Sequence, residues 1–164
     1  MRLGDTAANL QAIDDAQDRT ICVRIDCAGG RADDALRIAE ALLRHKWRVV
    51  ADIVGRCSSS AIFFALAADL RTIEPDGCVM IHRAARCCTY EQFKAMQSLA
   101  ADDKAAINES LNDSDDVTVS LLMSRIGVSE SIARGWKDEG RKWSAAEALS
   151  NGFVHAINGG VEAA

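Results

Sequence analysis

One continuous stretch sets the fold class: Val49-Val-Ala-Asp-Ile-Val-Gly-Arg-Cys-Ser-Ser-Ser-Ala-Ile-Phe-Phe-Ala-Leu-Ala-Ala68. Its first part, Val49 to Val54, is apolar enough for a strand buried on both faces, which is typical of parallel sheets. Gly55 to Ser60 is small and polar and predicts a tight turn. Ala61 to Ala68 is wholly apolar and predicts a buried helix. Strand, turn and helix in this order indicate one unit of a parallel α/β sheet.

The segments on either side extend the same pattern. Upstream, Ile21 to Ile25 is a β-branched run that predicts a strand, and Asp33 to His45 has the apolar spacing of an amphipathic helix. Downstream, Leu70–Ile73 and Val79–Ile81 predict two further strands, residues 126–135 a short helix and residues 153–157 a closing strand. Because parallel strands need crossover connections, we expect a mostly parallel sheet with crossover helices, followed by a long helical arm over residues 90–124.

Composition limits the classes of function. The chain has 164 residues, of which 49% are hydrophobic, so it can bury a core. A net charge of −5 leaves no basic footprint for nucleic acid, and no apolar run reaches the roughly 20 residues that span a bilayer. The six cysteines show no spacing typical of a zinc site. We therefore expect one cytoplasmic domain over residues 1–164 that uses no metal or cofactor and binds neither nucleic acid nor membrane.

Two turns of the predicted sheet carry residues that acyl transfer requires. Gly29 and Gly30 follow the first strand, and Ser59 lies in the turn after the second. Both turns come at the carboxyl edge of the sheet, where ligand sites form. Ser59 is the candidate nucleophile, and the backbone N–H groups of Gly30 and Ser60 could form an oxyanion hole. His82 follows the fourth strand at the same edge and is the candidate general base.

These residues resemble motifs of the Clp protease proteolytic subunit. Ile25-Asp-Cys-Ala-Gly-Gly30 is similar to the I-N-S-P-G-G turn of that family, and Gly55-Arg-Cys-Ser-Ser-Ser-Ala61 is similar to its G-x-A-A-S-M-G nucleophile segment. Val79-Met-Ile-His82 matches its V-M-I-H. Ser144-Ala-Ala-Glu-Ala148, followed by Gly152-Phe-Val154, is similar to its S-A-x-E-A…G-L-V segment. The resemblance covers about residues 20–157.

The resemblance implies a crotonase-like (Clp protease) fold and the hydrolysis of peptide bonds by Ser59 and His82, with Gly30 and Ser60 at the oxyanion hole. It also implies a homo-oligomeric ring that encloses peptides or unfolded proteins, with the long arm packed between subunits. The sequence identifies no ATPase partner. Ala28 stands where the family has Pro, and Ser60-Ala61 where it has Met-Gly. Against the family pattern, we expect a domain without the N-terminal segment and the first strand.

The third member of a catalytic triad is the least determined residue of the site. The family carries an Asp shortly before the S-A-x-E-A segment, and ungapped counting back from Ser144 gives Gly140. A shift of one residue gives Glu139, and a shift of two gives Asp138. We predict Glu139, because a one-residue insertion aligns it and its long side chain could reach inward, with Asp138 as the alternative. Otherwise a backbone carbonyl or a water would orient His82.

Two other functions stay open. The lack of a clear third triad residue favours a catalytically inactive ring subunit or scaffold. Gly140-Arg-Lys-Trp143 is similar to the G-R-x-W of signal peptide peptidase A, which uses a Ser–Lys dyad. In that case Lys104 would be the base, and activity would survive the loss of His82.

Overall fold

The computed structural model describes residues 5–86 and 88–159. Within these ranges the helices are α1 (Thr6–Asp15), α2 (Ala32–Arg44), α3 (Ile62–Ala67), α4 (Tyr90–Gln97), α5 (Ala101–Ile126), α6 (Glu130–Glu139) and α7 (Ala145–Ser150). The strands are β1 (Ile21–Cys27), β2 (Val49–Ser58), β3 (Leu70–Ile73), β4 (Cys78–Met80), β5 (Lys142–Ser144) and β6 (Ala156–Ile157). A short 3-10 turn, Ser59–Ala61, joins β2 to α3.

Strand β2 lies at the centre of the sheet. It pairs in parallel with β1, β3 and β4, and β3 pairs in parallel with β6. Only β5 runs antiparallel, against β4. Helices α2 and α3 are the crossovers that return the chain to the sheet in parallel. The predicted fold class, a mostly parallel α/β sheet with crossover helices, is therefore confirmed.

The core forms between β2 and the two crossover helices. Every residue of α3 is buried, and α2 buries a single stripe of four residues along its length. Phe64 and Leu66 of α3 are fully enclosed, as is Ile53 of β2. Enclosing a side chain of this size stabilises the fold by about 2 kcal/mol. This packing gives the turns at the ends of β1 and β2 a rigid support.

The sequence-based boundaries need several corrections. The predicted turn Gly55–Ser60 is mostly wrong, because β2 continues to Ser58, and Arg56 to Ser58 pair with β4. The helix predicted over residues 126–135 lies at Glu130–Glu139. Strand β5 was not predicted, and the predicted closing strand over residues 153–157 shortens to Ala156–Ile157. Ser144 and Glu147 form a capping box at the start of α7.

The helical arm over residues 90–124 is two helices instead of one. Helix α4 contains no buried residue, and α5 buries only Thr118, Val119 and Leu122. Residues 90–114 therefore add nothing to the core, and only this part is called the arm below. Tyr90 and Phe93 are exposed on it. No helix in the described part of the chain is both long and apolar enough to cross a bilayer.

The buried side chain of Arg71, on β3, connects three backbone segments. The guanidinium of Arg71 donates to the carbonyl oxygens of Phe153, Ala68 and Arg125, at 2.6, 3.2 and 3.3 Å. Burial, with the charge of Arg125, lowers the pKa of Arg71 to about 10. The backbone N–H of Arg71 donates to Nδ1 of His155 at 2.9 Å. One side chain thus joins the C-terminal ends of α3 and α5 to the segment that leads into β6.

Candidate active site

Ser59 occupies a strained turn between β2 and α3. Its φ angle is 55°, and no other non-glycine residue among those described has a positive φ. A residue with a side chain adopts this conformation at a cost of about 1–3 kcal/mol, so such strain is found where the surrounding structure enforces it, often at active sites. A sharp strand-to-helix turn of this kind presents a serine hydroxyl at the sheet edge. The local geometry therefore suits the predicted nucleophile.

The glycine turn after β1 packs directly against Ser59. A Cβ atom added to Gly29 would lie 2.6 Å from the Cβ of Ser59, 2.7 Å from the carbonyl oxygen of Ser58 and 3.2 Å from the Oγ of Ser59. Gly29 also has a φ of 96°, which disfavours any side chain. Only glycine allows this approach. The structure therefore brings the two turns predicted from the sequence into contact.

The predicted oxyanion-hole residues also lie together, but their hydrogen bonding differs from the prediction. The N–H of Gly30 donates to the Oγ of Ser60 at 2.9 Å, and that hydroxyl lies 3.2 Å from the carbonyl oxygen of Gly30, to which it can donate. The Ser60 side chain is buried in this position. The backbone N–H that should meet an oxyanion is thus occupied by a neighbouring hydroxyl. Rotation of the Ser60 side chain would release it.

His82 follows β4 at the same edge of the sheet. Ser58 and Met80 are register partners, so the ends of β2 and β4 lie about 4.8 Å apart. Nδ1 of His82 lies 2.6 Å from the carbonyl oxygen of Arg83. A carbonyl can only accept, so Nδ1 is the donor in this contact, and in the neutral imidazole the lone pair then lies on Nε2. Within the described residues, Ser59 and His82 do not hydrogen-bond to each other.

Neither predicted acid forms a hydrogen bond or an ion pair with the histidine. The carboxylate of Asp138 accepts from Arg83 at 2.6 Å, and that of Glu139 accepts from Arg141 at 3.2 Å. Both are surface ion pairs, and neither is bonded to His82. The residue beside His82 is Gly140, where an added Cβ would lie 3.7 Å from the Cβ of His82. The backbone carbonyl, which the sequence analysis left as the other possibility, holds Nδ1 instead.

The sequence did not predict an ion pair, between Asp115 and Lys137, that lies beside the residues following His82. Asp115 of α5 accepts from the N–H of Ala84 at 2.7 Å and from Nζ of Lys137 at 2.8 Å. Burial lowers the pKa of Lys137, and Asp115 acts in the opposite direction. In the sequence, Asp115 belongs to the acidic run 113–116, which by itself predicts a solvated helix face. No local signal distinguishes it from its neighbours.

The lysine of the alternative Ser–Lys mechanism is engaged elsewhere. Lys104 lies in the arm, and its ammonium donates to the carbonyl oxygen of Gln97 at 2.7 Å. This bond closes the connection between α4 and α5. Among the described residues, Lys104 forms no hydrogen bond to Ser59. The geometry therefore gives the Ser–Lys alternative no support.

The fold and the site define a class of protein. It is an α/β protein in which a glycine turn, a serine turn and a histidine lie at one edge of a parallel sheet. The family model described as Clp protease matches residues 5–160. The chain therefore belongs to the Clp protease family and is a peptidase of the Clp type, which confirms the resemblance seen in the motifs. No curated protein matches the sequence.

Proposed function

We propose that the chain is a serine endopeptidase that hydrolyses peptides or unfolded proteins, with Ser59 as nucleophile and His82 as general base. The observation that carries the proposal is the φ of 55° at Ser59, on a strand-to-helix turn pressed against Gly29. Strain at a single serine, at the ligand-binding edge of a parallel sheet, is more readily explained by chemistry than by packing.

The mechanism follows from the atoms at this edge. Ser59 Oγ attacks the scissile carbonyl carbon while its proton passes to Nε2 of His82. The imidazolium then protonates the leaving amine, and the C–N bond breaks to give an acyl-serine. A water attacks this ester, its proton passes to Nε2, and the acid product leaves as the proton returns to Ser59. Nδ1 keeps its proton throughout, bonded to the carbonyl of Arg83.

Stabilisation of the oxyanion requires a rearrangement. The N–H of Gly30 must exchange the Ser60 hydroxyl for the substrate oxygen, since one N–H cannot serve both at full strength. The N–H of Ser60, in the first turn leading into α3, has no acceptor within the helix and is the second donor. In this proposal, the substrate oxygen takes the place that the Ser60 hydroxyl occupies in the free protein.

A fluorophosphonate probe tests the assignment directly. We expect the protein to be labelled covalently, and Ser59→Ala to abolish labelling while the circular dichroism spectrum stays unchanged. Ser58→Ala is the matched control, because it removes the neighbouring hydroxyl at the end of β2 and should keep labelling. Labelling that persists in Ser59→Ala would rule out Ser59 as the nucleophile.

A catalytically inactive ring subunit is the second candidate. It is favoured by Gly140 in the place of an acid and by the lack of a hydrogen bond between Ser59 and His82. The probe separates the two candidates. A folded and assembled protein that is not labelled under any condition supports the inactive subunit.

We also propose that the chain works as a homo-oligomer. The arm carries two exposed aromatic side chains, Tyr90 and Phe93, which are 67% and 48% exposed. A helix such as α4, with eight residues and no buried side chain, gains little from packing within its own chain. Packing of the arm against a second copy would cover this surface and would enclose the sites of several subunits in one chamber.

A further inference from the structure

The Nδ1 proton of His82 and the carboxylate of Asp115 meet at the same peptide group. The carbonyl oxygen of Arg83 accepts from Nδ1 at 2.6 Å, and the N–H of Ala84 donates to Oδ1 of Asp115 at 2.7 Å. This oxygen and this N–H are the two ends of one peptide unit. The chain of contacts therefore runs from the carboxylate through a planar, conjugated amide to the imidazole.

Such an arrangement strengthens the bond to the histidine. When an amide N–H donates to an anion, electron density moves toward the carbonyl oxygen, which becomes a better acceptor. The effect favours the Nδ1–H tautomer and stabilises the imidazolium that forms when Nε2 takes a proton. A triad carboxylate has the same two effects when it contacts the imidazole directly.

Asp115 is held firmly enough to perform this role. Its side chain is 15% exposed, and that of its partner Lys137 is 5% exposed. The pair joins α5 to α6 next to residues 82–84. Two other charged residues lie near His82: Arg83 and Asp138. They pair with each other at the surface. Asp115 is therefore the carboxylate that the fold directs toward the Arg83–Ala84 peptide.

We propose that Asp115 is a positioning residue for His82, and that it replaces the missing triad acid by acting through the Arg83–Ala84 peptide. This inference rests on the proposed function, because it assumes that His82 is the base. It assigns to Asp115 of α5 a part in acyl transfer that requires no contact with the substrate.

Two variants separate this role from a structural one. Lys137→Met breaks the ion pair but keeps the Asp115 carboxylate and its bond to Ala84. Asp115→Asn combined with Lys137→Met removes both charges, and the amide oxygen of Asn can still accept from Ala84. Both variants lose the ion pair, but only Lys137→Met leaves the mostly buried Asp115 carboxylate without its partner, so a purely structural role predicts the greater loss in Lys137→Met. A role through the peptide predicts an effect of the double variant alone.

We expect the rate of fluorophosphonate labelling in Lys137→Met to stay within about threefold of the wild type, and that in the double variant to fall about tenfold or more. Nitrogen-15 NMR of the His82 ring supplies a readout that needs no catalysis. The wild type and Lys137→Met should show the Nδ1–H tautomer, and the double variant should show a mixture of tautomers.

A loss of labelling in Lys137→Met that equals or exceeds that in the double variant, or an unchanged His82 tautomer in the double variant, would overturn the proposal. The tautomer measurement also distinguishes this failure from failure of the proposed function. If Ser59→Ala is labelled as well as the wild type, the proposed function fails, and the ring spectrum alone then decides whether Asp115 acts on His82.

Discussion

Gly140 packs against His82, with 3.7 Å between the Cβ of the histidine and the position where a Cβ on Gly140 would lie. Ungapped counting from Ser144 also leads to Gly140 as the equivalent of the family's acid. Sequence and structure thus both put a glycine beside His82, at the position that ungapped counting gives to the family's acid. The preference for Glu139 depended on a one-residue insertion, and the structure gives that insertion no support.

Gly140→Asp should therefore increase activity. Gly140 has φ 58° and ψ 24°, a left-handed conformation that Asp and Asn tolerate better than other residues. A carboxylate beside His82 should raise the rate of probe labelling by about tenfold, a fraction of the 10⁴ that such an acid can contribute. Gly140→Asn is the matched control, since it has the same shape without the charge. Equal rates in the two variants would show that the carboxylate does not reach His82.

Ser60→Ala should also accelerate labelling. It removes the hydroxyl that occupies the N–H of Gly30, and release of one hydrogen bond corresponds to a gain of about two- to tenfold. The amide of Gly30 should exchange faster with deuterium in this variant, which can be measured independently of any reaction. Slower labelling with an intact fold would mean that the hydroxyl supports the glycine turn more than it blocks it.

Gly29→Ala should disrupt the site and weaken the fold. The new Cβ would collide with Ser59 and with the carbonyl oxygen of Ser58, both under 3 Å away. We expect the free energy of unfolding in urea to fall by about 2 kcal/mol or more and labelling to be lost. Gly135→Ala is the control, because nothing lies within 4 Å of that position on α6. There alanine should stabilise the helix by about 0.5–1 kcal/mol. Equal unfolding free energies for the two variants would contradict the close approach.

Stability should depend on pH through His155. Burial and the charge of Arg71 lower the pKa of this imidazole in the folded protein, and its Nδ1 accepts from the backbone of Arg71. The unfolded chain binds the proton near its ordinary pKa of about 6.5, above the folded value. The stability that the neutral His155 imidazole contributes is thus complete above about pH 6.5. It is lost as the pH falls toward the pKa of the folded protein.

The measurement is the urea midpoint at pH 7.5 and at pH 5.5. His155→Asn should reduce the difference between the two midpoints, because the amide oxygen of Asn accepts the same hydrogen bond without titrating. A wild type whose midpoint is the same at both pH values would contradict this assignment.

Assembly should depend on the arm. Substitution of Tyr90 and Phe93 by Ser should lower the molar mass measured by light scattering at micromolar concentration. The melting temperature of the subunit should change little, because neither side chain is buried. Leu149→Ser is the control, since Leu149 is an exposed apolar residue outside the arm. A wild type that is a stable monomer at this concentration would remove the oligomer and the enclosed chamber from the proposal.

The sequence was sufficient to predict β1, α2, α3 and most of β2. Apolar runs and glycines locate β1, α2, β2 and α3, because these elements are specified by their own residues. The break between α4 and α5 could not be seen, since residues 98–100 contain neither glycine nor proline. Strand β5 has three residues, and its pairing with β4 is a tertiary event.

The hydrogen bonds of the site were beyond sequence-based prediction for a different reason. The bond between Gly30 and Ser60 joins residues 30 positions apart, and that between Ala84 and Asp115 joins residues 31 positions apart. No periodicity specifies which of several neighbouring acids will face a given peptide. Such contacts follow from the way in which whole elements pack, so they emerge only in three dimensions.

Helix α5 has the geometry of a lever. It spans about 39 Å, and the three buried side chains that fix it to the body, Thr118, Val119 and Leu122, form its fulcrum. Ala101 lies 17 residues before Thr118, and Asp115 lies three residues before it. For a rigid helix, a displacement at the tip is reduced about sixfold at Asp115. A movement of several ångströms at Ala101, next to the proposed subunit contact, would become a sub-ångström adjustment at the 2.7 Å bond to Ala84.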